Sequence, residues 1–429
     1  MTIRLIGGRV IDPASGHDDI ADVFIADGRI AAIGKPPRGF KARREIAVEG
    51  LVVAPGLVDL GCHLREPGFE HKATIASEAR AALAGGFTTL VATPDTHPIL
   101  DTPAVAEQIH HCAHLARGAR VVCLGALTVA LKGEVLAEMH ALKAAGCVGV
   151  TNLDRTIKDT TVLQHALAYA ASAGLTVFLH PEEYWLGRQG HLHEGATSTR
   201  LGIPGIPRAA EIIGLQRDLT LVGEAGVRAH LARLSTAEAV RALAEAKRAG
   251  LEVTGDVALM NLLHVDADAG QFDANFHLRP PLRDRSDRTA LRQGVRRGQI
   301  DAIAAAHEPH DADAKAAPFA LTEPGVATLD IHLSQLLALV AQGAFDLVQA
   351  FRAASLMPHR ILGLAGGTLT PGAPADLCVF DLTEEWLVTP QALHSAGHNT
   401  PALGTRMKGR NRMTFLAGQL VWPGRRSAA

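Results

Sequence analysis

The sequence predicts a (β/α)8 TIM-like barrel that carries a small composite β-sandwich domain built from both termini. Three observations predict this fold. The chain has 429 residues, which is too long for one small domain but suits a large barrel with an accessory domain. In the middle of the chain, strand-like apolar runs alternate with helical segments, and both flanks carry short strands broken by Gly and Pro. We therefore assign residues 54–363 to the barrel, and residues 1–53 together with 364–429 to the β domain.

The two flanks supply the predicted strands of the β domain. Turn-forming pairs such as Gly7-Gly8 and Asp27-Gly28 separate short alternating runs, as expected for strands joined by tight turns. The basic run at 406–412 is predicted to be a solvated surface turn. The predicted strands are 3–6, 9–11, 22–25, 29–33, 44–48, 375–381, 413–416 and 420–422.

Eight apolar runs in the middle of the chain are predicted as the parallel strands of the barrel. Helical patterns such as 161–173 separate most of them, and Gly85-Gly86 is placed to cap an alanine-rich helix. An open doubly wound sheet is the alternative, but no Gly-x-Gly-x-x-Gly follows an early strand. The predicted strands are 51–58, 88–93, 120–125, 147–151, 175–180, 228–234, 252–257 and 302–306.

Composition and charge exclude several classes of protein. Apolar residues make up 47% and charged residues 20% of the chain, and the net charge is −2, so nothing favours binding to nucleic acid or an anionic membrane. No apolar run approaches the ~20 residues that span a bilayer, and the N-terminus lacks the apolar core of a signal peptide. Five widely spaced cysteines favour a reducing compartment. The sequence therefore predicts a cytoplasmic protein.

Chemistry in such a barrel collects at the C-terminal ends of the strands. The first barrel strand ends at Gly61-Cys62-His63, and residues two apart on a strand face the same side. A His-x-His pair in this position would direct two imidazoles at one metal ion. Glycine occupies the first position here, so the sequence indicates either an altered metal site or a barrel that has lost one.

Taken in order, the strand ends carry motifs that resemble the dihydroorotase family of the amidohydrolase superfamily. The resemblance covers almost the whole chain and implies a barrel of the amidohydrolase type. Family members hold one or two zinc ions with a His-x-His pair, a bridging acidic or modified lysine side chain, two further histidines, and an aspartate that is also the general base. The matching segments are 63–68, 93–96, 180–183, 201–207, 230–236, 280–283, 305–310 and 399–401.

Carried onto this chain, the family's metal set is largely replaced. The resemblance places His63 and His180 at two retained ligand positions. It also implies vestigial substrate contacts at Arg65, Asp95 and His310. The positions at which a metal ligand or the base is lost are Gly61, Asn152, Leu153, Arg233 and Ala306.

These replacements predict a protein without catalysis and without a metal cofactor. Arginine cannot be deprotonated in a protein, so Arg233 brings a permanent positive charge to the position of a metal ligand. Two imidazoles fall short of the three protein ligands of a catalytic zinc site. With Ala306 at the position of the catalytic aspartate, neither a metal-bound water nor a carboxylate base would supply the nucleophile.

The resemblance also implies a partner, because degenerate dihydroorotase-like chains of some bacteria assemble with the catalytic chains of aspartate carbamoyltransferase. We expect the same here: a homo-oligomer within a hetero-complex, acting as a structural subunit in de novo pyrimidine biosynthesis. One alternative is a divergent zinc-dependent hydrolase of cyclic amides that uses His63, His180 and His307. Another is a sensor that binds a pyrimidine precursor through Arg65 without converting it.

Overall fold

Strands and helices alternate through the middle of the chain, and strands dominate both ends. The computed structural model describes residues 2–423. The strands are β1 (Thr2–Asp12), β2 (His17–Ala26), β3 (Arg29–Ile33), β4 (Arg44–Ala47), β5 (Val52–Pro55), β6 (Leu57–Cys62), β7 (Phe87–Ala92), β8 (Arg120–Ala126), β9 (Cys147–Thr151), β10 (Thr176–Leu179), β11 (Leu192–His193), β12 (Gly205–Ile206), β13 (Ala229–Leu231), β14 (Val253–Ala258), β15 (Ala302–Ala304), β16 (Leu377–Leu387), β17 (Arg406–Leu416) and β18 (Gln419–Trp422).

Helices follow most of the barrel strands, and side chains cap several of them. Thr74 caps α1 by accepting a hydrogen bond from the Ser77 amide, and Gly85 ends that helix as predicted. No helix within residues 2–423 combines the length and apolar character needed to cross a lipid bilayer. The helices are α1 (Ile75–Ala84), α2 (Pro103–Ala116), α3 (Met139–Ala144), α4 (Thr160–Ala173), α5 (Tyr184–Gly187), α6 (Ala196–Leu201), α7 (Arg208–Ala225), α8 (Ala237–Arg248), α9 (Leu259–Leu263), α10 (Arg285–Arg296), α11 (His332–Ala341), α12 (Leu347–Phe351) and α13 (Met357–Ile361).

Eight parallel strands form the barrel, in the order β6-β7-β8-β9-β10-β13-β14-β15. This order confirms the predicted (β/α)8 barrel. Asp59 of β6 bridges the seam between the first and last strands, since its buried carboxylate accepts hydrogen bonds from the amides of Ala305, Ala306 and His307 at 3.1, 3.1 and 3.2 Å. The His63 amide also donates to the His307 carbonyl at 2.9 Å. A buried carboxylate and one backbone bond therefore close the barrel where regular pairing ends.

Both ends of the chain build the β domain, as predicted. Its eight strands belong to one sheet with the order β18-β17-β16-β5-β1-β2-β3, and β4 pairs with β1. A register shift between Leu5 and Gly8 lets β1 pair with β4 in its first half and with β5 in its second half. Apolar side chains from both ends, such as Ile3 and Phe415, pack in one core.

Three local predictions are wrong. No turn at Gly7-Gly8 separates the predicted strands 3–6 and 9–11, because both belong to β1, which continues through a register shift there. The apolar run predicted as a single strand, 51–58, forms two strands that separate at Gly56: β5 joins the β domain, and β6 begins the barrel. A Cβ atom on Gly56 would lie 2.2 Å from the side chain of Thr88, so the change of direction depends on a close approach that only glycine allows. The run 406–412, predicted as a surface turn, is the first part of β17 and pairs with β16.

Candidate functional site

The predicted site residues meet at the C-terminal mouth of the barrel, around a small cavity. Gly61, Leu153, His180, Arg233 and Ala306 all border this cavity, which has a volume of about 30 Å³. A buried water needs roughly 10–15 Å³, whereas pockets for small-molecule ligands measure roughly 300–1000 Å³. The cavity therefore has room for about two waters and not for a cyclic amide. Asn152 lies beside it and turns its side chain to Thr128 and to the Leu131 and Arg155 carbonyls.

The backbone at these strand ends is unusual. Arg65, Leu153, Arg233 and Ala306 have φ values of +64°, +53°, +56° and +49°, in the left-handed region that disfavours side chains with a Cβ atom. Hydrogen bonds hold this conformation: the Arg233 amide, for example, donates to Asp256 at 2.6 Å. Such backbone typically occurs at functional sites. The mouth thus has the backbone typical of a site, while the four side chains at these positions offer no atom that could bind a metal ion.

His63 is bound to a carboxylate through one ring nitrogen, while its Nε2 is buried without a hydrogen-bond partner. Its Nδ1 lies 2.7 Å from Asp95 Oδ2, and the Thr93 hydroxyl donates to Asp95 Oδ1 at 2.6 Å. Burial acts against the charged imidazole, but Asp95 and Glu308 outweigh it and raise the pKa of His63. Burial likewise opposes ionisation of Asp95, yet His63 and Arg65 hold the pKa of that carboxyl well below its usual range. The pair is therefore an internal ion pair at the mouth.

Removing the Asp95 carboxylate is expected to change the pKa of His63. In Asp95→Asn, we expect the pKa of His63 to fall below 6.5, because burial becomes its dominant influence. In the wild-type protein the raised pKa means that His63 contributes its full stabilisation below about pH 6.5 and loses it as the pH rises through the folded-state value. An NMR titration of the His63 ring measures this. Glu308→Gln, which removes a carboxylate 3.9 Å away, is the control with a smaller expected change. An unchanged pKa in Asp95→Asn would contradict the ion pair.

Arg65 also has protein partners. Its Nε donates to the Pro309 carbonyl at 3.0 Å, and its Nη2 lies 3.2 Å from Glu308 Oε1 and 3.1 Å from His310 Nε2. Burial, followed by Arg65 and Lys72, lowers the pKa of His310 to about 2, so this ring is neutral. The guanidinium that would bind a substrate carboxylate is thus already engaged, and the side chain is only 8% exposed.

His180 stands among positive charges. Its Nε2 is buried without a hydrogen-bond partner, and burial, followed by Arg233 and Arg279, lowers its pKa well below the ordinary value. Arg279 forms an ion pair with Glu182, and Arg233 donates weakly to the Arg279 carbonyl at 3.4 Å. Two guanidinium groups at the mouth therefore lie near the imidazole of His180, which has no carboxylate partner.

His307 lies outside the site although it follows the last barrel strand. Its Nε2 donates to Glu78 Oε2 at 2.7 Å, and its Nδ1 accepts hydrogen bonds from the amides of Thr328 and Leu329 at 2.9 and 3.3 Å. Both His307 and Glu78 are fully buried. With both ring nitrogens engaged, His307 has no lone pair free for a metal ion.

The mouth residues do not fit a zinc centre. They offer two imidazole nitrogens without a hydrogen-bond partner, Nε2 of His63 and Nε2 of His180, where a catalytic site needs three ligands, and His180 also lies near two guanidinium groups. Elsewhere in residues 2–423, one group of three potential ligands lies close enough to share an ion: His193, Asp284 and Asp287. Arg208 already forms ion pairs with both of those aspartates, so a cation is in place there.

Comparisons with known proteins agree with this fold and identify relatives along nearly the whole chain. A sequence model of the family described as Dihydro-orotase-like matches residues 50–239. A "Dihydroorotase-like protein" of Pseudomonas putida is 44% identical over 420 residues, which cover 98% of this chain and 99% of that one. A "Dihydroorotase" of Anaeromyxobacter sp. (strain K) is 43% identical, with 97% and 96% covered. Among solved structures, the L-hydantoinase (dihydropyrimidinase) from Arthrobacter aurescens gives a TM-score of 0.87 at 22% identity, covering 98% of this chain and 95% of that one.

Proposed function

We propose that this chain, which belongs to the dihydroorotase-like family, is a noncatalytic member that assembles with the catalytic chains of aspartate carbamoyltransferase and stabilises their oligomer. The observation that carries the proposal is the barrel mouth. A cavity of about 30 Å³, bordered by Arg233 and lacking a carboxylate base at Ala306, is the place where a metal and a substrate would have to bind. The proposal includes no metal cofactor.

The intact scaffold supports a structural role. All eight barrel strands are present and the left-handed strand ends are kept, while the charged side chains at the mouth pair with each other. A complete barrel whose mouth is occupied by its own side chains is suited to binding another protein through its outer surface. The full-length relatives of Pseudomonas putida and Pseudomonas aeruginosa, 44% and 45% identical, are named "dihydroorotase-like", which agrees with this proposal.

Co-expression tests the proposal. We expect the aspartate carbamoyltransferase chain of the same genome to form a larger, active complex when this chain is present, with several copies of each chain. Size-exclusion chromatography with light scattering measures the mass, and a carbamoyl aspartate assay measures activity. The control is the same carbamoyltransferase chain expressed alone. If its mass and activity are the same in both cases, the proposal fails.

The second candidate is an active hydrolase of cyclic amides. It is favoured by full-length relatives that carry the name "Dihydroorotase" at 43% identity. The contacts of His307 weaken its mononuclear form, since the third imidazole is held by Glu78 and two backbone amides. Zinc content and turnover distinguish the two candidates.

A further inference from the structure

A much larger cavity than the one at the barrel mouth lies between the β domain and the outer helices of the barrel. It is a groove of about 1010 Å³, against about 30 Å³ at the mouth. Helix α11 and the start of α12 form its floor, and the first residues of β17 form one wall. We call it the interdomain groove.

The floor of the interdomain groove is apolar. Its side chains come from four separate parts of the chain, so the groove exists only because the β domain packs beside the barrel. A concave cavity of this volume with apolar side chains in its lining is typical of a binding site. The apolar side chains are Leu263, Leu337, Val340, Phe345, Leu347, Leu382 and Met407.

The rim of the groove is basic. Arg296, Arg406 and Lys408 border it with exposed side chains, and none of them forms an ion pair within residues 2–423. Glu385 lies opposite Lys408 in the strand register but forms no ion pair with it. The rim acid Asp346 caps α12 by accepting a hydrogen bond from the Gln349 amide at 2.7 Å.

The remaining rim charges cancel. Arg9 and Asp18 form an ion pair at 2.6 Å. The groove therefore has a net positive rim above an apolar floor, and three cations are free to bind carboxylates of an incoming chain. Like charges facing each other across an interface cost several kcal/mol, so this rim selects an acidic occupant.

The size of the groove fits a short helix. A helix about 10 Å across with a pitch of about 5.4 Å occupies roughly 850 Å³ over two turns. Such a helix with apolar residues on one face and carboxylates beside them would place its apolar face on Leu337 and Phe345 and its carboxylates near Arg406 and Lys408. A small anion bound to the rim cations instead of a helix would leave much of the apolar floor uncovered.

We propose that the interdomain groove binds an acidic amphipathic segment of the aspartate carbamoyltransferase chain. The identity of the partner rests on the proposed function, whereas the chemistry of the segment rests on the floor and the rim. Binding therefore weakens as salt is added, because the carboxylates and the three cations are exposed to solvent before association.

A matched pair of charge reversals tests the groove. R406E/K408E reverses two rim cations, and R38E/K41E reverses two exposed cations of the same domain that do not border the groove. We expect R406E/K408E to weaken binding of the carbamoyltransferase chain at least tenfold, and R38E/K41E to leave it within twofold. Isothermal titration calorimetry at two salt concentrations measures both, and thermal melting checks that each variant folds.

A second variant blocks the groove without changing charge. Ala341 ends α11, is exposed, and borders the groove, so Ala341→Trp adds bulk there without entering the core. We expect it also to weaken binding at least tenfold. If the wild-type complex forms and both groove variants bind as well as R38E/K41E, the groove proposal is overturned while the scaffold function stands. If the wild-type chain forms no complex at all, both proposals are overturned.

Discussion

Purified from zinc-supplemented medium and freed of any affinity tag, the chain is expected to hold less than about 0.1 zinc per chain, against one in a mononuclear site. It is also expected to hydrolyse dihydroorotate no faster than buffer does. The reason is the number and charge of the groups at the barrel mouth. His63 is bound to Asp95, His180 faces Arg233 and Arg279, and His307 is bound to Glu78.

Charge repulsion makes the expected loss large. A guanidinium about 4 Å from a dication is repelled by about 8 kcal/mol at an effective dielectric constant near 20. Even half of that value would weaken zinc binding by roughly a thousandfold, since each 1.4 kcal/mol is a factor of ten. Without metal-bound water and without a carboxylate at position 306, we expect the chain to lack the rate acceleration of 10⁶-fold or more that enzymes typically provide.

Elemental analysis with two histidine variants checks this prediction. His180→Ala removes an imidazole at the mouth that has no carboxylate partner, and His114→Ala removes an exposed imidazole on α2. Both are expected to show the same near-zero zinc content as the wild type. About one zinc per chain that disappears in His180→Ala but remains in His114→Ala, together with measurable hydrolysis, would contradict the noncatalytic proposal.

The barrel could be predicted from the sequence because each strand is an apolar run that ends in polar or glycine residues. The predicted run 147–151 matches β9 residue for residue, and the others differ by a few residues at their ends. The separation at Gly56 had a signal that was missed, because the run contains Pro55-Gly56, a pair that interrupts strands. The destination of the two halves could not be predicted, since it depends on the packing of Gly56 against Thr88, a contact between residues far apart in the chain.

The replaced ligand positions could also be found from the sequence, but their new partners could not. Nothing near His307 in the chain indicates that Glu78, 229 residues away, occupies its Nε2. Glu308 was also missed as a partner of Arg65. It lies within the matching segment 305–310, but no pattern in the sequence pairs it with Arg65. Arg279 was missed as the partner of Glu182, although it directly precedes the matching segment 280–283.

Replacing Glu78 by alanine is expected to lower the free energy of unfolding by about 3–5 kcal/mol, the usual cost of breaking a buried pair from one side. Glu78 and His307 are both fully buried, and Glu78 also accepts a hydrogen bond from the Ala396 amide at 3.0 Å. Its removal leaves the His307 Nε2–H and that amide without acceptors. The Glu78–His307 pair connects α1 to the segment that follows the last barrel strand. Its loss therefore weakens the closure of the barrel, in which the His307 amide donates to Asp59.

The pH dependence of this effect has a definite sign. Burial alone would raise the pKa of Glu78, but the hydrogen bonds from His307 and from the Ala396 amide outweigh it and lower the pKa below 4.5. The ionised carboxylate of Glu78 thus contributes its stability above about pH 4.5 and loses it as the pH falls through the folded-state value. Urea denaturation at pH 7 and near pH 4 should show a smaller difference between wild type and Glu78→Ala at the lower pH.

Glu107→Ala is the matched control, because Glu107 occupies a similar position near the start of α2 but is exposed. It is expected to change the free energy of unfolding by about 0.5 kcal/mol or less. A loss below about 1 kcal/mol in Glu78→Ala would mean that the protein does not depend on this pair to hold the strand end. His307 would then be free to turn towards the mouth, and the mononuclear hydrolase would regain its third ligand.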